Sequence, residues 1–380
     1  MGPLDVAIVG GGPVGATLAA WLRPLGLEVA VFEARGGPMA DARTLALSHA
    51  SREALEEVGG WPSGATAIAT IHVSQRGGPG RTLIDCRDQG LPTLGYTVAY
   101  AALEAALSAR LEEAGLPVRY RHACSRIEAD AEGVTLGFES AGDARARLLV
   151  LADGGANAGR VPGLAFREKD YGQVAVVGAV RTDRPHGHRA YERFTPQGPM
   201  ALLPVDDRYG FVWTATPQEG ERLKALPPEA FLAELQSAFG DRAGRFTAVQ
   251  ARASFPLRLR TINTPIAPRT VVIGNAAQVL HPIAGQGLNL GLRDARELAN
   301  LLAGASPGSI GGPGMLEAYR SARQRDAGRG VAFTDLLVSS FAEASRVVTW
   351  GRGLALTAFD LFPPARRILA DRMIQGAPGR

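Results

Sequence analysis

Residues 4–35, LDVAIVGGGPVGATLAAWLRPLGLEVAVFEAR, change texture three times in quick succession. An apolar run, Val6–Val9, meets Gly10, Gly12 and Gly15. An amphipathic stretch follows through Leu25, with Gly26 as its stop, and a second apolar run, Val29–Phe32, closes on Glu33. This order predicts a strand, a helix and a second strand parallel to the first. Glycines spaced G-x-G-x-x-G are weak evidence alone. Here they leave a strand, open a helix and are trailed by an acid 23 residues after Gly10, the context a dinucleotide requires. Gly10 permits the tight turn, Gly12 lets backbone N–H groups beside Pro13 approach a pyrophosphate, and Gly15 lets helix and strand close up. Glu33 is then placed to accept from ribose hydroxyls, with Arg35 next to it.

Composition narrows the classes. A chain of 380 residues with 46% hydrophobic composition buries a large core and divides into more than one domain. Cys86 and Cys124 stand far apart with no metal-ligand spacing, and the six His are scattered, so neither a disulfide framework nor a metal site is expected. The sequence shows no charged-then-apolar leader and no apolar run of membrane-spanning length, which predicts a cytoplasmic protein. Net charge is +4, yet residues 320–380 alone hold ten Arg, no Lys and five acidic residues, so the positive excess is C-terminal. Combined with apolar positions over 331–362, it reads either as a solvated helical face or as a peripheral contact with an anionic membrane, on the inner face of the cytoplasmic membrane. The Arg are not interleaved with aromatics, so nucleic acid is not an expected partner.

Farther on, a helix is predicted over 100–116, with short strands around 118–120, 126–129 and 134–138. LLVLADGGANAGRVPG (148–163) adds a strand ending in Asp153-Gly154. Between about 166 and 260 the texture becomes alternating (QVAVVGAVRT, AYERFT, MALLPV, YGFVWTAT, ARASFPLRLRT), as in an antiparallel sheet. The first texture returns at Arg269. The predicted fold is α/β: a discontinuous Rossmann-like dinucleotide-binding domain, an inserted and mostly antiparallel β-sheet substrate domain, and a helical C-terminal region. The dinucleotide-binding parts are 1–75, 96–165 and 261–314. Residues 76–95 form substrate-domain strands or a connecting loop, 166–260 the substrate domain, and 315–380 the C-terminal region.

Three separated pieces now stand in order: GGGPVG (10–15) with Glu33, ADGG (152–155), and GNAAQVLHPIAGQGLNLGLRD (274–294). Together they resemble the group A FAD-dependent aromatic hydroxylases, and the last is most similar to the ubiquinone-biosynthesis branch acting on 2-polyprenyl-6-methoxyphenol. DARTLALS (41–48) and ERFTPQGPMALLP (192–204) fit that branch as well. The resemblance spans nearly the whole chain. It implies FAD as cofactor, NADH or NADPH as a transient co-substrate, and molecular oxygen as the source of the hydroxyl placed on an electron-rich phenol. A prenylated phenol and other ubiquinone-biosynthesis proteins are the implied partners. Alternatives of the same fold are a flavin-dependent isoprenoid reductase and a non-catalytic flavin-binding subunit of a biosynthetic assembly.

The resemblance also assigns residues. Gly274 and Asn275 are expected on the ribityl and phosphate side, with Asp153 and Gly154 also against the cofactor. His281-Pro282 turns the chain, and Gly285-Gln286-Gly287 runs beside the flavin ring. A helix from about Leu288, with Asn289 following, is expected to aim its N-terminus at the ring, where helix dipoles favour the negative charge of reduced flavin. Arg43 matches a family Arg near flavin and phosphate. Two departures stand out: relatives carry Asp where this chain has Asn275 and His where it has Gln278. Near Tyr100, relatives place an Arg or Gln that this chain lacks. Met200, Leu202, Phe211, Trp213 and Phe255 are the residues expected to line an apolar groove for the prenyl tail.

Overall fold

The computed structural model describes residues 2–39, 41, 43–77, 80–139, 141–250, 252–280, 286–324, 353 and 357. Its helices include α1 (Pro13–Leu22), α2 (His49–Glu57), α3 (Tyr100–Glu113), α4 (Pro217–Ala225), α5 (Pro228–Phe239) and α6 (Gln286–Ala303). Strand Leu4–Val9 lies inside a seven-stranded sheet, parallel to Val29–Phe32 on one side and to Ala144–Leu151 on the other. Ala144–Leu151 is in turn parallel to Thr270–Val272. These strands are buried on both faces, which is why they read as unbroken apolar runs. Val6 and Ile8 pack with Leu18 of α1, Leu107 of α3 and Leu298 of α6, while Ala7 and Val9 pack with Leu136 and Phe138 of the antiparallel pair Cys124–Ala129 and Val134–Phe138. Because the strands are parallel, their carboxyl ends deliver Gly10, Ala152 and Ile273 to one edge of the sheet, where ligands of open α/β sheets bind.

The first helix is shorter than predicted. Pro24 has no N–H to continue it, so α1 passes into a 3-10 turn at Arg23–Leu25, and Gly26 ends the segment at φ 72°. Residues 118–120 form no strand; Arg119 only bridges to Phe32.

Among the described residues the second sheet has nine strands. Phe166–Thr182 is its spine, antiparallel to Ala253–Ile262 and to Arg208–Ala215, from which Gly198–Val205 and Arg189–Thr195 follow in antiparallel order. Strand Thr70–Gln75 then adds in parallel to Arg189–Thr195 and pairs with Arg81–Asp85. That corrects the division at residue 75: Thr70–Gln75 belongs to this second sheet, because its ladder hydrogen bonds go to Arg189–Thr195. Helices α4 and α5 cover one face of the sheet. A three-stranded sheet, Thr44–Ser48, Gly95–Ala99 and Thr66–Ile68, joins the two larger ones. Residues 313–324 are helical and pack Leu316 and Tyr319 into the first core. Of the predicted C-terminal region beyond them, only Gly353 and Thr357 fall within the described residues.

Candidate active site

Glycine is forced where the three segments meet. A Cβ at Gly10, which sits at φ +113°, would stand 2.5 Å from the Ala152 carbonyl carbon, and one at Gly15 would stand 2.0 Å from the Gly10 carbonyl oxygen. Gly12 differs, since the nearest atom to its missing Cβ is the Tyr100 hydroxyl at 3.6 Å. No side chain caps α1, and Pro13 occupies its first turn, so the remaining N–H groups of that turn are left for an anion.

Glu33 is 8% exposed and already engaged. Its Oε2 accepts from the Gly11 N–H at 2.9 Å and from Arg35 Nη2 at 3.0 Å, and its Oε1 accepts from the Arg35 N–H at 3.0 Å. Burial opposes ionisation, but the hydrogen bonds from Arg35 and Gly11 outweigh it, and the carboxyl titrates below its usual range. One acceptor position on Oε1 is left for a ligand hydroxyl. Arg35 also donates to Glu104 of α3 at 2.7 Å, while its Nη1 is buried with no hydrogen-bond partner. Arg43 pairs with Asp41 and lies over the Tyr100 ring, 5.2 Å from its centroid. Tyr100 thus stands between Arg43 and the glycine turn.

The second and third segments are bound together from beneath. Asp153 accepts from the Gly155 N–H and from both nitrogens of Asn157, shaping the turn that holds Gly154 at φ 72°. Arg260 donates to the Gly154 carbonyl and, at 3.4 Å, to the Asn275 carbonyl, so a strand of the second sheet clasps both loops. Gly274 donates its N–H to Asp294 Oδ2 at 2.9 Å. Asp294 is 2% exposed and pairs with Arg323 at 2.5 Å. Gln278 is buried beneath the same carboxylate, 3.4 Å away.

Helix α6 starts at Gln286, two residues before the expected beginning, so Gln286 and Gly287 are its first residues and do not form a flat segment ahead of it. A Cβ at Gly287 would stand 3.7 Å from Asn275 Oδ1, and one at Gly291 3.0 Å from the Gly274 Cα. Asn275, exposed, therefore adjoins the first turn of α6. Leu288 packs against the first core. Asn289 is committed elsewhere: its Oδ1 accepts from the Ser48 N–H and the Ser51 hydroxyl, and its Nδ2 donates to the Ala46 carbonyl. Those bonds occupy its amide and give it the role of fixing strand Thr44–Ser48 against α6. His281, Pro282 and Gly285 lie outside the described residues.

Four of the five predicted substrate residues lie on the α5 side of the second sheet. Met200, Leu202, Phe211 and Trp213 are nearly fully buried and pack with Phe231, Leu235 and Phe239 of α5. Trp213 also borders a cavity of about 270 Å³ rimmed by Arg76, Glu219 and Glu234. Side chains alternate across a strand, so the other face belongs to Ala201, Leu203 and Val212 with Val177 beside them, all half-buried. Gly210 shares that face, and Thr44 Oγ1 lies 3.3 Å from its missing Cβ. Thr44 belongs to the joining sheet, so this inner face meets that sheet at Gly210. Phe255, 43% exposed and paired with Ala175, is the one expected residue on the inner face.

Residues 3–334 match the family described as FAD binding domain. The chain belongs to that FAD-binding family. It is 35% identical over 96% of its length to ubiquinone hydroxylase UbiL of Rhodospirillum rubrum, of which 88% is covered. It is 31% identical over 80% of both chains to 3-demethoxyubiquinol 3-hydroxylase of Escherichia coli. Among solved structures, p-nitrophenol 4-monooxygenase of Pseudomonas putida has the same fold, with a TM-score of 0.79 at 20% identity over 99% of both chains.

The residues present suit FAD. The open side of Gly12, the uncapped start of α1 and the unpartnered Nη1 of Arg35 provide donors for an anionic dinucleotide, and the crowding at Gly10 and Gly15 keeps the turn flat. Three contributors escaped the sequence reading: Arg260, Glu104 and Asp294. Glu104 and Asp294 carried a usable signal, since each is a charge on the apolar stripe of its helix. Among the described residues no cluster of His, Cys, Asp or Glu could hold a metal ion, and no helix is long and apolar enough to cross a membrane.

Proposed function

We propose that this flavoprotein hydroxylates a polyprenylated phenol in ubiquinone biosynthesis, taking electrons from NADH or NADPH and one oxygen atom from dioxygen. The supporting observation is the half-buried apolar strip Val177, Ala201, Leu203 and Val212 on the face of the second sheet away from α5, where Gly210 meets Thr44 of the joining sheet. The named relatives supply the chemistry of the substrate. In this reading Gly12, Arg35, Glu33, Asp153, Gly154, Gly274, Asn275 and Gly287 hold FAD along its length, with Arg43 at its edge. When bound, FAD supplies the redox chemistry and the activation of dioxygen. The protein's own part is to fix the phenol ring, keep water out and accommodate a long apolar tail. An activated phenol is itself nucleophilic, so His281 is assigned to the chain turn at the flavin edge and not to a base. With no second glycine fingerprint in the sequence, the nicotinamide cofactor is assigned a transient visit. The C-terminal Arg-rich segment is assigned a peripheral contact with the anionic membrane that stores the substrate.

Two substitutions separate the faces of the sheet. Phe211→Ala removes a ring from beneath α5 and is expected to cost about 3–5 kcal/mol in urea unfolding, with KM for the phenol unchanged. Leu203→Asp, on the inner face, is expected to raise KM by roughly tenfold, about 1.4 kcal/mol. The reverse pattern would move the substrate to the α5 side.

The reaction itself is tested with labelled dioxygen. Protein, FAD, NADH or NADPH and a short-chain prenylphenol should give a product carrying one labelled oxygen. Unlabelled product, or oxygen-independent turnover to a product with a saturated double bond, would overturn the assignment in favour of another flavoenzyme reaction.

A further inference from the structure

On the inner face of the second sheet a carboxyl interrupts the apolar row Val177, Val212 and Ala201. Glu192 is directly opposite Ala201, which is opposite Val212, which is opposite Val177, so the carboxyl ends the row that forms the apolar strip. Its neighbours in sequence point the other way: Tyr191 stacks against Phe239 of α5, and Arg193 donates to Ser74. On its far side Glu192 is paired with Val73, and Phe194, two residues on, clusters with Val73 and Ile71. Glu192 is only 8% exposed, and among the described residues no side chain or backbone group hydrogen-bonds or ion-pairs with its carboxyl.

A buried carboxyl without a partner is costly, by several times the net worth of an ordinary hydrogen bond. A sheet face that needed only packing would carry an apolar residue here, as it does at Ala201, Val212 and Val177. A polar group kept at such a position is explained if its partner arrives with the ligand. We infer that Glu192 is the polar anchor of the substrate site, its carboxyl hydrogen-bonding a ring hydroxyl of the phenol while Val177, Ala201 and Val212 take the apolar part. This rests on the phenol-hydroxylase reading above. Burial pushes the Glu192 carboxyl up to about 8, so near neutral pH it is mostly protonated. In that form it can both donate to and accept from a hydroxyl. Unlike Val177, Val212 and Ala201 beside it, it can tell a free phenol from its ether.

The test uses the FAD-loaded full chain and two probes, a short-chain prenylphenol and its O-methyl ether, read by quenching of flavin fluorescence and by turnover. The wild-type protein should hydroxylate the phenol and bind it at least about tenfold more tightly than the ether. Glu192→Gln, which keeps an acceptor and a donor, should retain most of that preference. Glu192→Leu should bind the two probes equally, while its melting temperature rises by a few degrees because a desolvated carboxyl is gone. Retention of the preference by Glu192→Leu, alongside normal hydroxylation by wild type, would overturn the anchor and leave the enzyme reading standing. So would a fall in melting temperature with equal weakening of both probes, the mark of a structural role. Failure of the wild type to hydroxylate any prenylphenol would remove the enzyme reading and the anchor with it.

Discussion

Gly15→Val is expected to yield a colourless protein whose affinity for FAD is lower by at least about 100-fold, or about 2.7 kcal/mol. The cause is steric and local. The first atom of the new side chain would lie 2.0 Å from the Gly10 carbonyl oxygen, far inside contact distance. Relief requires α1 to back away from the strand that leads into it, and this moves the N–H groups of its first turn off the position they hold at the edge of the sheet. Overpacking of this kind costs about 1–3 kcal/mol in stability as well. Gly26→Ala is the control. It sits in open space at φ +72°, so it should cost about 1 kcal/mol from backbone strain and leave FAD affinity unchanged. Flavin titration of both variants, alongside thermal melts, checks the pair.

The second large effect is expected at Arg323. Arg323 and Asp294 are 5% and 2% exposed, they form an ion pair, and the Asp294 carboxylate positions the Gly274 N–H. Arg323→Leu leaves that carboxyl buried without its cation and should cost about 3–5 kcal/mol, together with loss of flavin, because the Gly274 turn loses its support. Adding Asp294→Asn should recover much of the stability, since the buried charge is then absent. The pH dependence has a definite sign. Burial already holds the Asp294 carboxyl above its ordinary value, and removing Arg323 raises it further. A group raised in the folded state stabilises below its unfolded pKa, and that contribution is lost as pH rises. The deficit of Arg323→Leu should therefore shrink as pH falls toward 4 and widen above it. A deficit that does not vary with pH would mean that packing, not charge, accounts for the loss.

What the sequence disclosed and what it hid follow a physical line. The turn at Gly10–Gly15 was legible because strand, glycine spacing and helix are all local, and the Gly274 segment was legible for the same reason. The start of α6 was placed two residues late because Gly287 reads as a helix breaker, although here it adjoins Asn275. The two faces of the second sheet could not be told apart in the sequence because strands such as MALLPV are apolar on both sides. Large residues drew attention at Met200, Leu202, Phe211 and Trp213, but α5 is what those residues cover. The other face carries the smaller, half-buried residues Ala201, Leu203 and Val212, the face proposed for the substrate. Arg260 and Asn289 were opaque for a different reason. Arg260 joins loops around Gly154 and Asn275, and Asn289 reaches Ala46 and Ser48, contacts that exist only once distant segments have come together.

The most direct measurement is a crystal structure of the protein with FAD. The account predicts pyrophosphate density at the open side of Gly12, ribityl density between Gly154 and Gly274, and the flavin ring beside Gly287 with one edge toward Leu203 and Val212. A protein that refuses FAD, or one that binds it with the ring on the α5 side of the second sheet, would contradict it.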